Sequence, residues 1–185
     1  MESVKQKDKK VFEALKEVYG YKNPAEAPRL EKIVVATGTG KKLKNDKKIN
    51  EFISDRLAKM TGQKPSVRKA KQSNAGFKLR EGEEIGLAVT LRGHEMYSFI
   101  DKFIHIATPR TKDFRGYKRT AIDDMGNLTL GIKEHSIFPE TGNEEIRDVF
   151  SFAITFVTTA TSKKEAEDYF DFIGIPFKKK AEATK

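Results

Sequence analysis

Residues 63–92 read QKPSVRKAKQSNAGFKLREGEEIGLAVTLR and join a cationic segment to a strand. From Lys64 to Arg80 the chain carries six cations and no acid. The following residues alternate apolar with small or polar side chains, the pattern of a half-buried strand, with apolar positions Ile85, Leu87, Val89 and Leu91. This combination predicts a rigid scaffold that presents charge to a polyanion, because strands hold loops in place while loops carry contacts. A merely solvated hairpin is the alternative, but ordinary surfaces mix both signs of charge.

The composition favours a negatively charged partner, although charge alone does not separate RNA, DNA and an anionic membrane, and it excludes several other classes. The 185 residues include 36 Lys and Arg against 27 Asp and Glu, a formal net charge of +9, so we expect a negatively charged partner. There is no cysteine, which excludes disulfides, thiol nucleophiles and zinc–thiolate sites. No apolar run approaches the roughly 20 residues that span a bilayer, and the N-terminus does not have the pattern of a signal peptide. We therefore expect a cytoplasmic protein without a membrane partner.

The periodicities predict an α+β fold. Helical spacing is expected at 5–19, at 49–60, after Gly93 and after Ser162. Strands are expected at 30–36, 85–92, 127–133 and 149–158. The order of these elements favours a mainly antiparallel, curved sheet with helices packed on one face and basic loops beside the open face. We predict a single domain over residues 1–185, with a basic tail at 179–185.

Residues 108–119 form a second basic segment, in which aromatic residues alternate with cations. Phe114 and Tyr117 lie between the cations Arg110, Lys112, Arg115, Lys118 and Arg119. Aromatic rings beside arginines commonly stack on the splayed bases of single-stranded RNA. Phe114 could equally be a core plug that anchors a long loop, and the sequence leaves both interpretations open.

No catalytic residue, metal site or cofactor is predicted. The glycines at 38 and 40 are too close together for a phosphate loop, and His94-Glu95 lacks the second histidine of a zinc protease. His105 ends an apolar helical stripe and is expected to be packed and hydrogen-bonded. Asp123-Asp124 reads as a turn. A solvated acidic edge is expected at Glu140, Glu144, Glu145 and Asp148.

The order of several longer blocks carries a family resemblance. The chain resembles the large-subunit ribosomal proteins that bind 5S rRNA, the family numbered five among large-subunit proteins. The blocks span about residues 12–178, in N-terminal (about 22–80) and C-terminal (about 84–178) family segments. They are 28–35 (PRLEKIVV), 61–65 (TGQKP), 69–82 (KAKQSNAGFKLREG), 89–93 (VTLRG), 96–97 (MY), 109–110 (PR), 113–116 (DFRG), 127–134 (NLTLGIKE), 137–140 (IFPE) and 157–160 (VTTA).

The resemblance implies a structural constituent of the large ribosomal subunit rather than an enzyme. Members of this family sit in the central protuberance, hold 5S rRNA and touch 23S rRNA. They also reach the peptidyl-site tRNA, contact neighbouring large-subunit proteins and bridge to a protein of the small-subunit head during translation.

Carried over by position, the resemblance implies three groups of residues. Binding of 5S rRNA falls on Thr37, Gly38, Gly40, Lys41, Gln63, Lys64, Thr90 and Arg92. The tRNA-facing loop comprises Arg68, Lys69, Lys71, Gln72, Ser73, Asn74, Gly76, Lys78 and Arg80. Further ribosomal contacts are expected from Arg110, Lys112, Arg115, Lys118 and Arg119. In the first group the cations neutralise phosphates, while Gln63 and Thr90 can hydrogen-bond base edges or 2′-hydroxyls.

Two positions depart from the family pattern. Ala36 and Thr37 stand where the family usually has Asn-Met, so a carboxamide able to contact RNA is missing. Asn74 stands where an aliphatic residue is common, which bears on the conformation of the tRNA-facing loop. Because glycine and like charges leave little to pack, we expect this loop to be mobile in the free protein.

Two other functions compete with the ribosomal one. A free-standing, basic RNA chaperone would bind unrelated RNAs as well as it binds 5S rRNA. An enzyme acting on an anionic metabolite would need a deep pocket that holds a pair of titratable groups.

Overall fold

The structure is a computed structural model that describes residues 2–40, 49–141 and 149–178. These residues form four α-helices: α1 (Val4–Tyr19), α2 (Ile49–Thr61), α3 (Gly93–Lys102) and α4 (Lys163–Ile173). They also form five strands: β1 (Leu30–Gly38), β2 (Ser66–Lys69), β3 (Glu84–Leu91), β4 (Leu128–Ile132) and β5 (Phe152–Thr158). The predicted α+β class is therefore confirmed. The predicted basic tail, residues 179–185, lies outside the described residues.

The strands form one open, antiparallel sheet in the order β2-β3-β1-β5-β4. The edge strand β2 pairs with β3 in a register that sets Ser66 opposite Ala88 and Val67 opposite Leu87. This edge strand was not predicted, because all four of its residues are exposed and no apolar alternation marks it. Two of the residues predicted to lie in the tRNA-facing loop, Arg68 and Lys69, therefore lie on a strand.

Alternating burial explains why three of the other strands were predictable. Along β5, Phe152, Ile154 and Phe156 are buried while the residues between them are half-exposed. β4 follows the same period, and from Ile33 onward β1 does too, with Ile33, Val35 and Thr37 buried. β3 is buried continuously from Gly86 to Val89. In a strand, successive side chains point to opposite faces, so each strand contributes one apolar face to a core.

The chain is organised in two compact units. The first unit comprises Met1–Ile33, Arg92–Leu130 and Thr155–Lys185, and the second comprises Val34–Leu91 and Gly131–Ile154.

In the first unit, the carboxylate of Asp8 fixes helix α1 to two other helices. It accepts hydrogen bonds from the hydroxyl groups of Tyr97 on α3, at 2.6 Å, and Tyr169 on α4, at 2.5 Å. Burial raises the pKa of both phenols, and the nearby Asp8 carboxylate raises it further, so both tyrosines remain protonated donors. At the end of α4, the Lys7 ammonium donates to the carbonyl oxygen of Ile173 at 3.1 Å. Polar contacts thus complete the docking of an amphipathic helix.

Helix α3 continues into a π-helical turn, Phe103–Ala107, and this turn overturns the expectation for His105. The turn closes through the Thr108 N–H, which donates to the carbonyl oxygen of Phe103 at 2.9 Å. A wider turn rotates the residues that follow it around the helix axis. Phe103 and Ala107 are buried, whereas His105 is exposed rather than packed.

The buried histidine is His135, in the second unit. Its side chain has no exposed surface and stacks on the ring of Phe150, with centroids 4.3 Å apart and planes 13° apart. The N–H of Phe150 also lies 3.4 Å from Nδ1 of His135, which accepts its hydrogen bond. His135 therefore fills a place in an aromatic core.

A close backbone contact ties the second basic segment to the C-terminal part of the first unit. The Tyr117 N–H donates to the carbonyl oxygen of Pro176 at 2.8 Å, and the Lys178 N–H donates to Tyr117 at 2.9 Å. Gly116 makes this approach possible, because a Cβ there would lie 2.6 Å from the Lys178 nitrogen. Its φ of +90° is also a conformation that other residues rarely adopt.

We predict that Asp8→Asn destabilises the protein by about 2 kcal/mol, because a charged acceptor of two part-buried hydrogen bonds is lost. Urea unfolding at neutral pH measures the change. Glu17→Gln is the matched control: it also removes one carboxylate from α1, but from an exposed position. Equal stability of the two variants would contradict a docking role for Asp8.

We also predict that Gly116→Ala costs about 1–3 kcal/mol of stability, since the new methyl group meets backbone atoms and φ is strained. Thermal and urea unfolding measure this cost. Gly131→Ala provides the comparison, because a Cβ at Gly131 meets nothing within 4 Å and its φ is ordinary. If both substitutions leave stability unchanged, the contact between 116 and 177–178 does not hold the segment in place.

Candidate nucleic-acid interface

The end of β1 is anchored by Thr37, whose hydroxyl group is already used within the protein. Thr37 is buried, and its Oγ1 donates to the carbonyl oxygen of Ser151 at 2.8 Å. This hydroxyl therefore links β1 to the residue before β5, and its proton is engaged within the protein.

The glycines that follow Thr37 form an accessible strand end. Gly38 is exposed and Gly40 is half-buried, while the N–H of Thr39 between them donates to the carbonyl oxygen of Ile85 at 2.9 Å. This bond extends the pairing of the two chain segments beyond the end of β1. Lys41, which was predicted to bind 5S rRNA with them, lies outside the described residues.

The other predicted 5S rRNA-binding residues of the second unit lie at the opposite end of β3. Gln63 and Lys64 are exposed and follow α2, and Thr90 is half-buried on β3. Gln63 and Lys64 come just before β2, whose first residue, Ser66, pairs with Ala88 two residues before Thr90 on β3.

Gly86 lies against the end of β1, because a Cβ there would come within 2.7 Å of the carbonyl oxygen of Thr37. Thr90 lies four residues further along the same face of β3, roughly 13 Å away. The predicted residues of this unit thus form two groups, one at each end of β3.

A shallow depression of about 400 Å³ lies at the ends of β1, β4 and β5. Sequence reasoning did not find it, because its lining comes from three separate parts of the second unit. Most of the lining side chains are small, and one is cationic: Ala36, Gly38, Gly131, Ser151, Ala153 and Lys133. Small side chains permit close approach of a ligand backbone. A cation at its border favours a negatively charged ligand.

Arg92, the remaining residue of the predicted 5S rRNA set, belongs to the first unit. Its guanidinium lies 3.5 Å from the Glu31 carboxylate, and both side chains are largely exposed. An exposed ion pair contributes little to stability, so Arg92 can exchange this partner for a phosphate at small cost.

From residue 70 onward, the predicted tRNA-facing loop lies in a hairpin tip, which we define as residues 70–83. Asn74 and Leu79 exchange two backbone hydrogen bonds of 2.9 and 3.0 Å. The Asn74 side chain accepts from the Gly76 N–H at 3.0 Å, and the Ser73 hydroxyl accepts from the Glu81 N–H at 3.0 Å. These bonds define the path of the backbone in the structure. Its motion in solution stays a prediction.

The cations of the hairpin all face solvent. Arg68, Lys69, Lys71, Lys78 and Arg80 are exposed, and none forms a salt bridge within residues 2–40, 49–141 and 149–178. Gln72, Ser73, Asn74 and Gly76 are exposed as well. The hairpin tip also carries Phe77, which is 69% exposed and was not predicted as a site residue. The sequence does place Phe77 next to a cation, Lys78, in the same way that it places Phe114 next to Arg115 in the second basic segment.

The second basic segment divides into exposed cations and one internal arginine. Arg110, Lys112, Arg115 and Lys118 are exposed. Arg119 instead donates to both carboxylate oxygens of Asp171, at 2.7 and 3.1 Å, and its guanidinium lies 5.0 Å from the ring centre of Phe177. Arg119 is thus engaged in holding α4, whereas the other four cations face solvent.

Phe114 is half-buried and packs edge-on against Tyr117, with centroids 4.9 Å apart. Tyr117 in turn stacks on the buried ring of Phe103 at 5.9 Å. These contacts favour the interpretation of Phe114 as an anchor of the segment.

The described part of the chain offers no cluster of three or more His, Cys, Asp or Glu residues that could hold a metal ion. None of its helices is long and apolar enough to cross a membrane. The predicted turn at Asp123 is present: the Asp123 carboxylate accepts from the backbone N–H of Asn127 at 2.7 Å and from its side chain at 3.1 Å. Of the predicted acidic edge, Glu140 is exposed, while Glu144, Glu145 and Asp148 lie outside the described residues.

Comparison with known proteins identifies the family. Residues 23–80 match the family model described as ribosomal protein L5, and residues 84–177 match the model of the C-terminus of the same ribosomal family. The chain is similar to the large ribosomal subunit protein uL5 of Carboxydothermus hydrogenoformans, with 45% identity over 90% of this chain and 93% of the relative. Identity to the uL5 protein of Heliobacterium modesticaldum is 47%, over 89% and 91% of the two chains. Identity to that of Desulforapulum autotrophicum is 46%, over 92% and 95%.

Both family models match, together they cover most of the chain, and the relatives align over nearly their full length. The family resemblance predicted from the sequence is thereby confirmed. The chain belongs to the ribosomal protein L5 family, and it is a structural, RNA-associated component of the large ribosomal subunit rather than an enzyme.

Proposed function

We propose that this protein holds 5S rRNA in the central protuberance of the large subunit through the two ends of β3 and the adjoining depression. The observation that carries the proposal is a surface of small residues beside a cation, with Gly38 and Gly131 next to Lys133. RNA phosphates can approach the backbone there, and the Lys133 ammonium neutralises phosphate charge without reading the sequence.

Recognition of particular nucleotides is assigned to the polar groups at the other end of β3. Gln63 offers a carboxamide with both donor and acceptor atoms, and Thr90 offers a hydroxyl group. These groups suit the base edges and 2′-hydroxyls displayed by RNA. The exposed cation Lys64, two residues before β2, supplies charge at the same end of β3.

The two basic segments are assigned to other partners on the ribosome. The hairpin tip, together with Arg68 and Lys69, faces the peptidyl-site tRNA in this proposal. The exposed cations of 108–119 contact 23S rRNA or neighbouring large-subunit proteins. An intersubunit bridge to a protein of the small-subunit head completes the set of partners. Family resemblance supports these assignments, and the solvent-facing charge of both segments agrees with them.

We predict that wild-type protein prefers 5S rRNA over an unrelated structured RNA of equal length, and that Gln63→Ala/Thr90→Ala lowers 5S rRNA affinity about tenfold. Two lost hydrogen bonds account for a change of this size. Salt-titrated binding isotherms measure both quantities, and the slope against salt should not change, because no cation is removed. Asn23→Ala/Thr120→Ala, which removes an exposed carboxamide and an exposed hydroxyl elsewhere, serves as the control. Equal affinity of the wild type for both RNAs would favour a general RNA chaperone.

The role of the depression in RNA binding can be tested by removing the charge of Lys133. We predict that Lys133→Gln weakens 5S rRNA binding and reduces the slope of log affinity against log salt by about one, the change expected for one lost phosphate contact. The control is Lys59→Gln on α2, where the ammonium lies 2.8 Å from the Asp55 carboxylate. An unchanged slope for Lys133→Gln would remove the depression from the RNA-binding surface.

A further inference from the structure

We propose that Thr37 is a positioning residue for RNA binding: its hydroxyl group fixes the end of β1, so that the backbone at Gly38 is already in place when RNA arrives. The inference rests on the proposed function for the identity of the ligand, 5S rRNA. It gives Thr37 a role that acts through its neighbour rather than by contact with RNA.

The hydrogen bond of Thr37 joins two walls of the depression. Its Oγ1 donates to the carbonyl oxygen of Ser151 at 2.8 Å, and the two residues are 114 positions apart in the chain. Both line the depression, Thr37 at the end of β1 and Ser151 directly before β5. Thr37 is only 6% exposed, so little of its side chain is open to a ligand. The bond therefore fixes the end of β1 relative to the residue before β5.

The other side of the same strand end is held against β3. A Cβ on Gly86 would lie 2.7 Å from the carbonyl oxygen of Thr37, so the two backbones are in close contact. Two residues further on, the Thr39 N–H donates to the carbonyl oxygen of Ile85 at 2.9 Å. Gly38 thus lies between two residues that are each held by a neighbouring segment.

Gly38 combines an open backbone with buried neighbours. It is exposed, and a Cβ there would meet nothing within 4 Å, whereas Thr37 and Thr39 on either side are buried. Glycine has more backbone conformations available than other residues, so a glycine without support would have to be ordered as RNA binds. Holding it in advance lowers the entropy lost on binding. The Thr37 hydroxyl therefore contributes to affinity without meeting the ligand.

The test replaces this hydroxyl with a methyl group in the full-length protein. Valine has the same branch at Cβ as threonine, but Thr37→Val removes the donor to Ser151. We expect this variant to bind 5S rRNA about fivefold more weakly than the wild type, the effect of one lost hydrogen bond. The salt slope should not change, because no cation is removed. Thr37→Ser keeps a hydroxyl group and should restore most of the affinity.

Thr158→Val is the matched control, because it removes a similar bond at another place. Thr158 is 7% exposed, and its Oγ1 donates to the carbonyl oxygen of Gly126 at 2.7 Å. It lies in the first unit and is not among the residues assigned to 5S rRNA. Urea unfolding measures the stability of both valine variants. We expect both to lose stability, but only Thr37→Val to lose 5S rRNA affinity.

Amide hydrogen exchange in the RNA-free protein separates positioning from direct contact. In Thr37→Val we expect the Thr39 N–H, which donates to Ile85, to exchange faster than in the wild type, because the strand end opens locally. The N–H of Phe156 on β5 serves as an internal reference and should exchange as in the wild type.

Four outcomes would overturn the inference. Full 5S rRNA affinity in Thr37→Val would remove the positioning role and leave the proposed function, which Gln63→Ala/Thr90→Ala tests by itself. Weaker binding with unchanged exchange at Thr39 would mean that RNA contacts the hydroxyl directly. Equal losses of affinity in Thr37→Val and Thr158→Val would reduce the effect to stability. Equal affinity of the wild type for 5S rRNA and an unrelated RNA would remove the proposed function and this inference together.

Discussion

The carbonyl oxygen of Thr37 lies where a side chain at position 86 would be, since a Cβ on Gly86 would come within 2.7 Å of it. This close approach sets the end of β1 against the start of β3. The Thr37 hydroxyl then fastens the same strand end to Ser151 at 2.8 Å. One residue is thus held from two sides, and Gly38 emerges at the border of the depression. Any larger residue at 86 would push the strands apart and move that glycine.

The proposed RNA surface lies beside this constraint. Around the end of β1 the depression is lined mostly by glycine, alanine and serine, which leave polar backbone groups within reach of a ligand. A Cβ at Gly38 or Gly131 would meet nothing within 4 Å, so these two glycines leave open space. A polyanion can therefore approach the backbone closely while Lys133 neutralises part of its charge.

Sequence reasoning succeeded where the physical signal is local. Period-two hydropathy identified the strands containing Val89 and Phe156, because alternation is recorded in adjacent residues, although in β3 the four residues from Gly86 to Val89 are all buried. It missed β2, whose residues are exposed on both faces and whose pairing depends on β3. It also misplaced His105, because nothing in the spacing announces a π-helical turn, and it gave no buried role to His135.

The candidate site divides in the same way. Charge in the hairpin and in 108–119 is visible in the sequence, but the partners of a charge are not. Arg119 reads like its neighbours, yet Asp171, 52 residues away, engages it. The depression around Gly131 could not be predicted either, because it exists only once three strands are side by side. Asn74 was recognised as a departure, although its hydrogen bond to Gly76 became apparent only in the structure.

The exposed edge strand β2 has a consequence for the protein before it joins the ribosome. An unpaired strand edge is a template on which a second copy of the chain could add its own strand. Arg68 and Lys69 make that addition unfavourable, because a second β2 would bring like charges face to face. The same side chains therefore oppose self-association of the protein between its synthesis and its assembly into the ribosome. RNA would neutralise these charges only once it is bound next to β2, where it would itself occupy the space beside the strand edge.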